Sequence, residues 1–148
     1  MSYTYDYPRP SVSADAVVFR KSDDKIELLL IRRGNTPFKG MWALPGGFVN
    51  MDENLEAAAA RELKEETSLE GVDLHQFHAY GAVDRDPRHR TISIAYAGLL
   101  TQKDAPVKAA DDAAEAGWFD VDVLPETGFD HDIIIQDARA FAHRMKWF

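Results

Sequence analysis

Three carboxylates, Glu62, Glu65 and Glu66, fall within five residues of one segment, Arg61-Glu62-Leu63-Lys64-Glu65-Glu66-Thr67-Ser68-Leu69. On a helix that turns about 100° per residue, Glu62 and Glu66 lie one turn apart on one stripe, with Glu65 beside them. The same stripe carries Leu55, Ala58, Ala59 and Leu69, while Glu56, Ala60 and Lys64 face outward. The acids therefore point to the apolar side, where bare charge is costly and must be compensated. Hard divalent cations with oxygen ligands, magnesium above all, answer that need. A Glu-rich helix segment taken alone is usually a solvated face laced with i,i+4 pairs, and Arg61 with Glu65 is one such pair.

The residues upstream shift that balance. Pro45-Gly46-Gly47 precedes the helix, and a short polar stretch leads to Glu53. Glycines at 46 and 47 allow close approach of backbone and ligand. Arg61 is placed to hold Glu53 and orient the turn. Together, Gly47 to Leu69 resembles the Nudix box, G-x5-E-x7-R-E-U-x-E-E-x-G-U with U aliphatic. One position departs: Ser68 stands where that pattern has Gly, which bears on the geometry of the helix end rather than on a ligand. The wider resemblance runs from Ser11 to the C-terminal helix.

The resemblance implies an enzyme that hydrolyses a diphosphate linked to another moiety. It implies Glu62, Glu65, Glu66 and the Gly46 carbonyl as ligands of Mg2+ or Mn2+. Glu53 and Arg61 then support those ligands. Glu65 and Glu66 are also candidates for the proton transfer to or from water. A base from a loop outside the box is the alternative, and the acidic stretch before Trp118 offers Asp111, Asp112 and Glu115, with Glu115 preferred because it leads into a strand. The segment Tyr80 to Arg88, the opening Tyr7-Pro8-Arg9-Pro10 and the late Phe129-Asp130-His131 resemble the ADP-ribose pyrophosphatase-like branch. Arg85 and Arg88 could clamp phosphate. Phe48 and Trp42, beside the Gly-rich turn, could stack on a base, although Trp at such a place is more often core. His131 reads as a residue that opens the last helix. The reaction expected is ADP-ribose to AMP and ribose 5-phosphate. The alternatives are a nucleotide-sanitising enzyme acting on 8-oxo-dGTP and a non-catalytic ADP-ribose-binding protein.

These residues need a scaffold, and the chain of 148 residues suits a single domain over 1–148. Residues 1–10 read as an extended arm, either loosely ordered or docked at a homodimer interface. No run reaches membrane-spanning length, and Met1 to Asp6 lacks the basic and apolar regions of a signal peptide. The chain has no cysteine, which excludes disulfides, thiolate zinc sites and Cys nucleophiles and agrees with a cytoplasmic enzyme. A formal net charge of -8 disfavours nucleic acid as a partner and means that a phosphorylated small molecule must be met with cations. It also argues against the DNA-binding regulators of the same branch.

Apolar patterning predicts a hairpin of Val12–Phe19 with Ile26–Arg32, and a short strand at Trp42-Ala43-Leu44. A helix follows over Asp52–Ser68 with Asp52 as N-cap. Strands are predicted at Leu74–Val83, Thr91–Leu100 and Ala116–Asp120. The last helix spans Asp130–Trp147, with Ile133, Ile134, Ala138, Phe141 and Met145 as its apolar stripe. Hairpins with two long helices give an α/β/α sandwich, a mixed sheet between helices, and this is also the fold that the Nudix resemblance implies.

Overall fold

A computed structural model describes residues 2–101 and 113–148. Its elements are β1 (Ser11–Ser22), β2 (Lys25–Arg33), β3 (Trp42–Ala43), β4 (Gly46–Phe48), α1 (Leu55–Thr67), β5 (His75–Tyr80), β6 (Thr91–Leu100), β7 (Ala113–Asp120) and α2 (His131–Arg144). Among the described residues, the strands form one sheet in the order β3-β2-β1-β6-β5, with β4 also paired to β1 and β7 to β2. The sheet is mixed. β1 and β6 run parallel from Ser11↔Thr91 to Arg20↔Leu100, and the other pairings are antiparallel. The expected hairpin of β1 with β2 and the span Thr91–Leu100 are both observed.

Side-chain alternation along β1 divides the core into two layers. Ala14, Ala16 and Val18 turn to the face covered by α1, where they meet Ala58, Ala59 and Leu63. Val17 and Phe19 turn the other way, with Leu28 and Leu30 of β2, and pack against Ile134, Ile135, Ala138 and Ala142 of α2. The result is the expected sandwich, with α1 and α2 on opposite faces of the sheet. No helix among the described residues is long and apolar enough to cross a membrane.

Two helix details differ from the sequence expectation. α1 starts at Leu55 with Asn54 as cap, not at Asp52. Glu53 accounts for the delay: its carboxylate accepts the Asn50 N–H at 2.9 Å and so closes a turn before the helix. At the other end, Ser68 takes a left-handed conformation, φ 66°, and its N–H reaches the Lys64 carbonyl. This is the geometry a glycine would adopt to close a helix, reached here with a side chain.

The buried stripe of α2 is rotated from the one expected. His131, Ile134, Ile135, Ala138 and Ala142 are buried, whereas Ile133 and Met145 are 52% and 42% exposed. A polar residue, His131, sets the phase, which hydropathy alone does not reveal. The helix also stops at Arg144 rather than Trp147. Ile134→Ala should therefore cost about 2–5 kcal/mol, and Ile133→Ala within about 0.5 kcal/mol of nothing. Urea unfolding midpoints of the two variants check the phase, and equal losses would contradict it.

Candidate active site

Between the N-terminal ends of β1 and β6, the Gly-rich turn and the start of α2 lies a cleft of about 570 Å³. One wall is acidic: Glu62, Glu65 and Glu66 of α1, with Gly46 and Gly47 of β4. The cleft is also lined by Arg33, Arg85 and Arg88 with Phe48 and Phe129, and by Asp15 and His131, here termed its floor.

The acidic wall is built by close packing. Gly46 pairs with Asp15 and Gly47 with Ala14 across β4 and β1. A side chain on Gly47 would stand 2.5 Å from the Glu62 carboxylate. The Gly46 N–H donates to Glu66 Oε1 at 2.8 Å, tying the helix carboxylate to the turn. Glu66 is 9% exposed. Burial above all, with the Glu62 and Asp15 carboxylates, pushes its carboxyl up to about 8 against the opposing Gly46 N–H and Arg33. Burial likewise raises Glu62, opposed by Arg61 and reinforced by Glu65.

Arg61 organises the remaining acids. Its guanidinium donates to Glu53 at 2.6–3.2 Å, to Glu62 at 2.8 Å, to Glu65 at 3.1 Å and to the Phe48 carbonyl at 3.0 Å. The pairing of Glu53 with Arg61 expected from sequence is thus present. The Arg61 bond, helped by the Asn50 N–H, holds Glu53 down at about 2. A depressed carboxyl contributes stability that is present above its ordinary value of 4.5 and is lost as pH falls towards 2. Glu53→Gln should therefore lower both the melting temperature and turnover at neutral pH, and the gap in melting temperature should narrow on acidification. An unchanged melting temperature would count against the pairing.

Among the described residues, no three His, Asp or Glu side chains are gathered tightly enough to hold a metal ion as they stand. Glu62 and Glu65 instead turn to Arg61. The donor set nevertheless fits a hard divalent cation in chemistry. It has three carboxylates on one wall, one of them buried beside two like charges. The carboxylates also abut a turn whose glycine leaves no room for a side chain.

The lining arginines are held differently from one another. Arg85 is buried, its side chain 3% exposed, and donates to both carboxylate oxygens of Asp130 at 2.9 and 2.7 Å. Arg88 is 37% exposed at its side chain and is held by Asp86 at 2.8 and 3.1 Å. Burial works against the Asp86 carboxylate, yet Arg88 outweighs it and lowers its pKa. The Arg88 guanidinium lies 5.2 Å from the Phe48 ring centre and 5.7 Å from that of Phe129. Arg33 approaches Phe129 at 5.0 Å. Arg88 and Phe48 thus face the cleft, whereas Arg85 lines it with its charge already matched by Asp130.

Two expected site residues do not line the cleft. Trp42 packs edge-on against Phe119 at 4.7 Å and joins the core over α2, so its ring does not reach the cleft. Glu115 lies on β7, 3.3 Å from its cross-strand neighbour Arg32, with its side chain 55% exposed. β7 packs on α1 through Trp118 and Leu63, but Glu115 is not among the residues that line the cleft. Asp111 and Asp112 fall outside the described residues.

The floor was not anticipated. Asp15 is 6% exposed, accepts the Ser93 hydroxyl and faces His131 Nε2 at 4.0 Å. Burial lowers the pKa of His131 despite Asp15 and Asp130, which leaves its Nδ1 free to accept the Leu44 N–H at 3.0 Å. A sequence signal existed for Asp15: one acid inside the apolar run Ala14-Asp15-Ala16-Val17-Val18. Arg33 carries no comparable mark, and Phe129 is marked only by the resemblance of Phe129-Asp130-His131 to one branch of the family.

Comparison with known proteins bears on this site. The NUDIX domain family model matches residues 9–138. An ADP-ribose pyrophosphatase of Methanocaldococcus jannaschii is 46% identical over 131 residues, which are 88% of this chain and 74% of that protein. The ADPR responsive transcriptional repressor NtrR of Acinetobacter baylyi is 34% identical over 139 residues, 91% of this chain, which spans only 55% of the repressor. Among solved structures, the NUDIX domain of Shewanella oneidensis NrtR complexed with ADP ribose superposes with a TM-score of 0.84 at 31% identity, covering 92% of each chain. A MutT/nudix family protein of Enterococcus faecalis gives 0.87 at 30% identity, covering 97% of this chain and 66% of that one.

Proposed function

This chain belongs to the Nudix family, and on that premise we propose that it hydrolyses ADP-ribose to AMP and ribose 5-phosphate with a divalent cation. The observation that carries the proposal is the polarity of the cleft. Its helix carboxylates suit cations, and its lining also presents Arg88 between Phe48 and Phe129. A diphosphate with a sugar on each side needs cations at its centre and aromatic or single cationic contacts at its ends. The identity with the archaeal ADP-ribose pyrophosphatase supports the same substrate.

In this reading Glu62, Glu65, Glu66 and the Gly46 carbonyl hold Mg2+ or Mn2+, once Glu62 and Glu65 have exchanged Arg61 for the ion. A bound cation supplies charge neutralisation at phosphate, polarisation at phosphorus and a more acidic water. Arg61 would stay anchored by Glu53 and the Phe48 carbonyl beside the carboxylates it releases. Water adds to one phosphorus, the bridging P–O bond breaks, and a carboxylate takes the proton water gives up. Glu65 fits that last role, because its side chain is 45% exposed at the cleft, which Glu115 does not line. Arg88, held by Asp86, binds a phosphate oxygen or ribose, and Phe48 stacks on the base. A homodimer that uses the exposed arm of Tyr3, Tyr5 and Tyr7, and a cytoplasmic setting, complete the proposal.

The experiment is a comparison of kcat/KM with magnesium for ADP-ribose, NADH, diadenosine polyphosphates and 8-oxo-dGTP, with products identified. ADP-ribose should lead and yield AMP. A lead for 8-oxo-dGTP, with pyrophosphate released, would establish the sanitising reaction instead. Tight ADP-ribose binding without turnover would establish a binding module instead.

A further inference from the structure

Residues 42–44 run beside residues 127–131. Trp42 and Thr127 form a parallel bridge, and the Gly128 N–H donates to the Trp42 carbonyl at 3.0 Å. Two residues further along, the Leu44 N–H donates to His131 Nδ1 at 3.0 Å. Gly128 also makes room for the Phe38 ring, which a Cβ there would meet at 2.9 Å. The start of α2 is thereby fixed to the segment that becomes the Gly-rich turn.

From that fixed point, adjacent side chains reach two different segments that line the cleft. Asp130 grips buried Arg85 through both carboxylate oxygens, and three residues on, the same turn presents Arg88. His131 holds Leu44, two residues before Gly46, whose N–H holds Glu66 at 2.8 Å. The 4.0 Å from His131 to Asp15 is too long for a hydrogen bond, so Leu44 is the firm partner.

We infer that Asp130 and His131 are positioning residues for two separate functions of this cleft. His131 sets the Gly-rich turn and the cation-facing carboxylates, and Asp130, through Arg85, sets the turn that presents Arg88 to substrate. The inference rests on the function proposed above.

The test uses His131→Phe, which removes the acceptor, His131→Asn, whose side-chain oxygen can replace Nδ1, and Asp130→Asn. Mn2+ binding is measured by electron paramagnetic resonance, and affinity for a methylene-bridged ADP-ribose analogue by calorimetry. Values of kcat and KM for ADP-ribose and melting curves complete the set. His131→Phe should weaken Mn2+ binding and lower kcat by roughly tenfold each, with KM little changed, and His131→Asn should restore most of both. Asp130→Asn should raise KM and the analogue Kd by roughly tenfold, with Mn2+ binding unchanged.

Parallel losses of kcat, substrate affinity and Mn2+ binding in both families would overturn the inference, as would no rescue by His131→Asn. Should Asp130→Asn fail to fold, Asp130→Glu keeps the charge and displaces Arg85, and the same rise in KM is required of it. Should His131→Phe fail to fold, His131→Gln must show its losses. Absence of ADP-ribose turnover in the wild type would instead refute the proposed substrate, and the Mn2+ measurements would still decide the role of His131.

Discussion

Glu66→Gln should lose turnover by on the order of a hundredfold or more while the protein becomes no less stable. The two effects have one origin. Glu66 is a nearly buried carboxylate beside Glu62 and Asp15, an arrangement that costs the cation-free fold and serves a bound cation. Its carboxyl titrates near 8 in the folded chain against an ordinary 4.5. Between those values the folded state retains a proton that the unfolded state has released. Stability of the cation-free protein therefore falls as pH rises across that window. Gln keeps the shape and has no proton to lose. In chelator, the melting temperature of Glu66→Gln should exceed that of the wild type by a margin that widens from about pH 5 to about pH 8. A variant with normal turnover, or one that melts lower at every pH, would remove Glu66 from the cation site.

The second large effect concerns the paired glycines, which should behave differently. A Cβ on Gly46 would meet the Asp15 carboxylate and stand 2.6 Å from the Ala14 carbonyl. The latter is backbone inside the sheet and cannot step aside. Gly46→Ala should cost about 3 kcal/mol or more and remove activity with it. At Gly47 the obstruction is only the tip of the Glu62 side chain, 2.5 Å away. That tip can swing, so Gly47→Ala should keep the fold within about 1 kcal/mol yet lose turnover about tenfold or more, because Glu62 is displaced. Thermal melts and turnover of the two variants separate these cases. A Gly46→Ala protein that melts like the wild type would contradict the close packing of β4 on β1.

Much of the fold was legible because its signals are local. The alternation in Thr91–Leu100, the β1–β2 hairpin and the carboxylate spacing of α1 depend on neighbours a few residues apart. Glu53 with Arg61 was legible for the same reason. What escaped depends on tertiary contact. The cap of α1 moved because Glu53 closed a turn with Asn50. The face of α2 was misjudged because buried His131, a polar residue, sets its phase. Trp42 and Glu115 lie near functional segments in sequence, but strand pairing carries one into the core and the other beside Arg32. Asp15 and Arg33 reach the cleft from β1 and β2; only Asp15, a lone acid in an apolar run, carries a sequence signal.

The most direct test of the whole account is turnover of ADP-ribose against cation supply in the purified protein. With excess chelator there should be no AMP formed. Magnesium or manganese should restore the reaction along a saturable curve, and Glu66→Gln should fail to respond at the concentrations that saturate the wild type. Full AMP production in excess chelator, or equal rescue of wild type and Glu66→Gln, would contradict the claim that the α1 carboxylates act through a divalent cation.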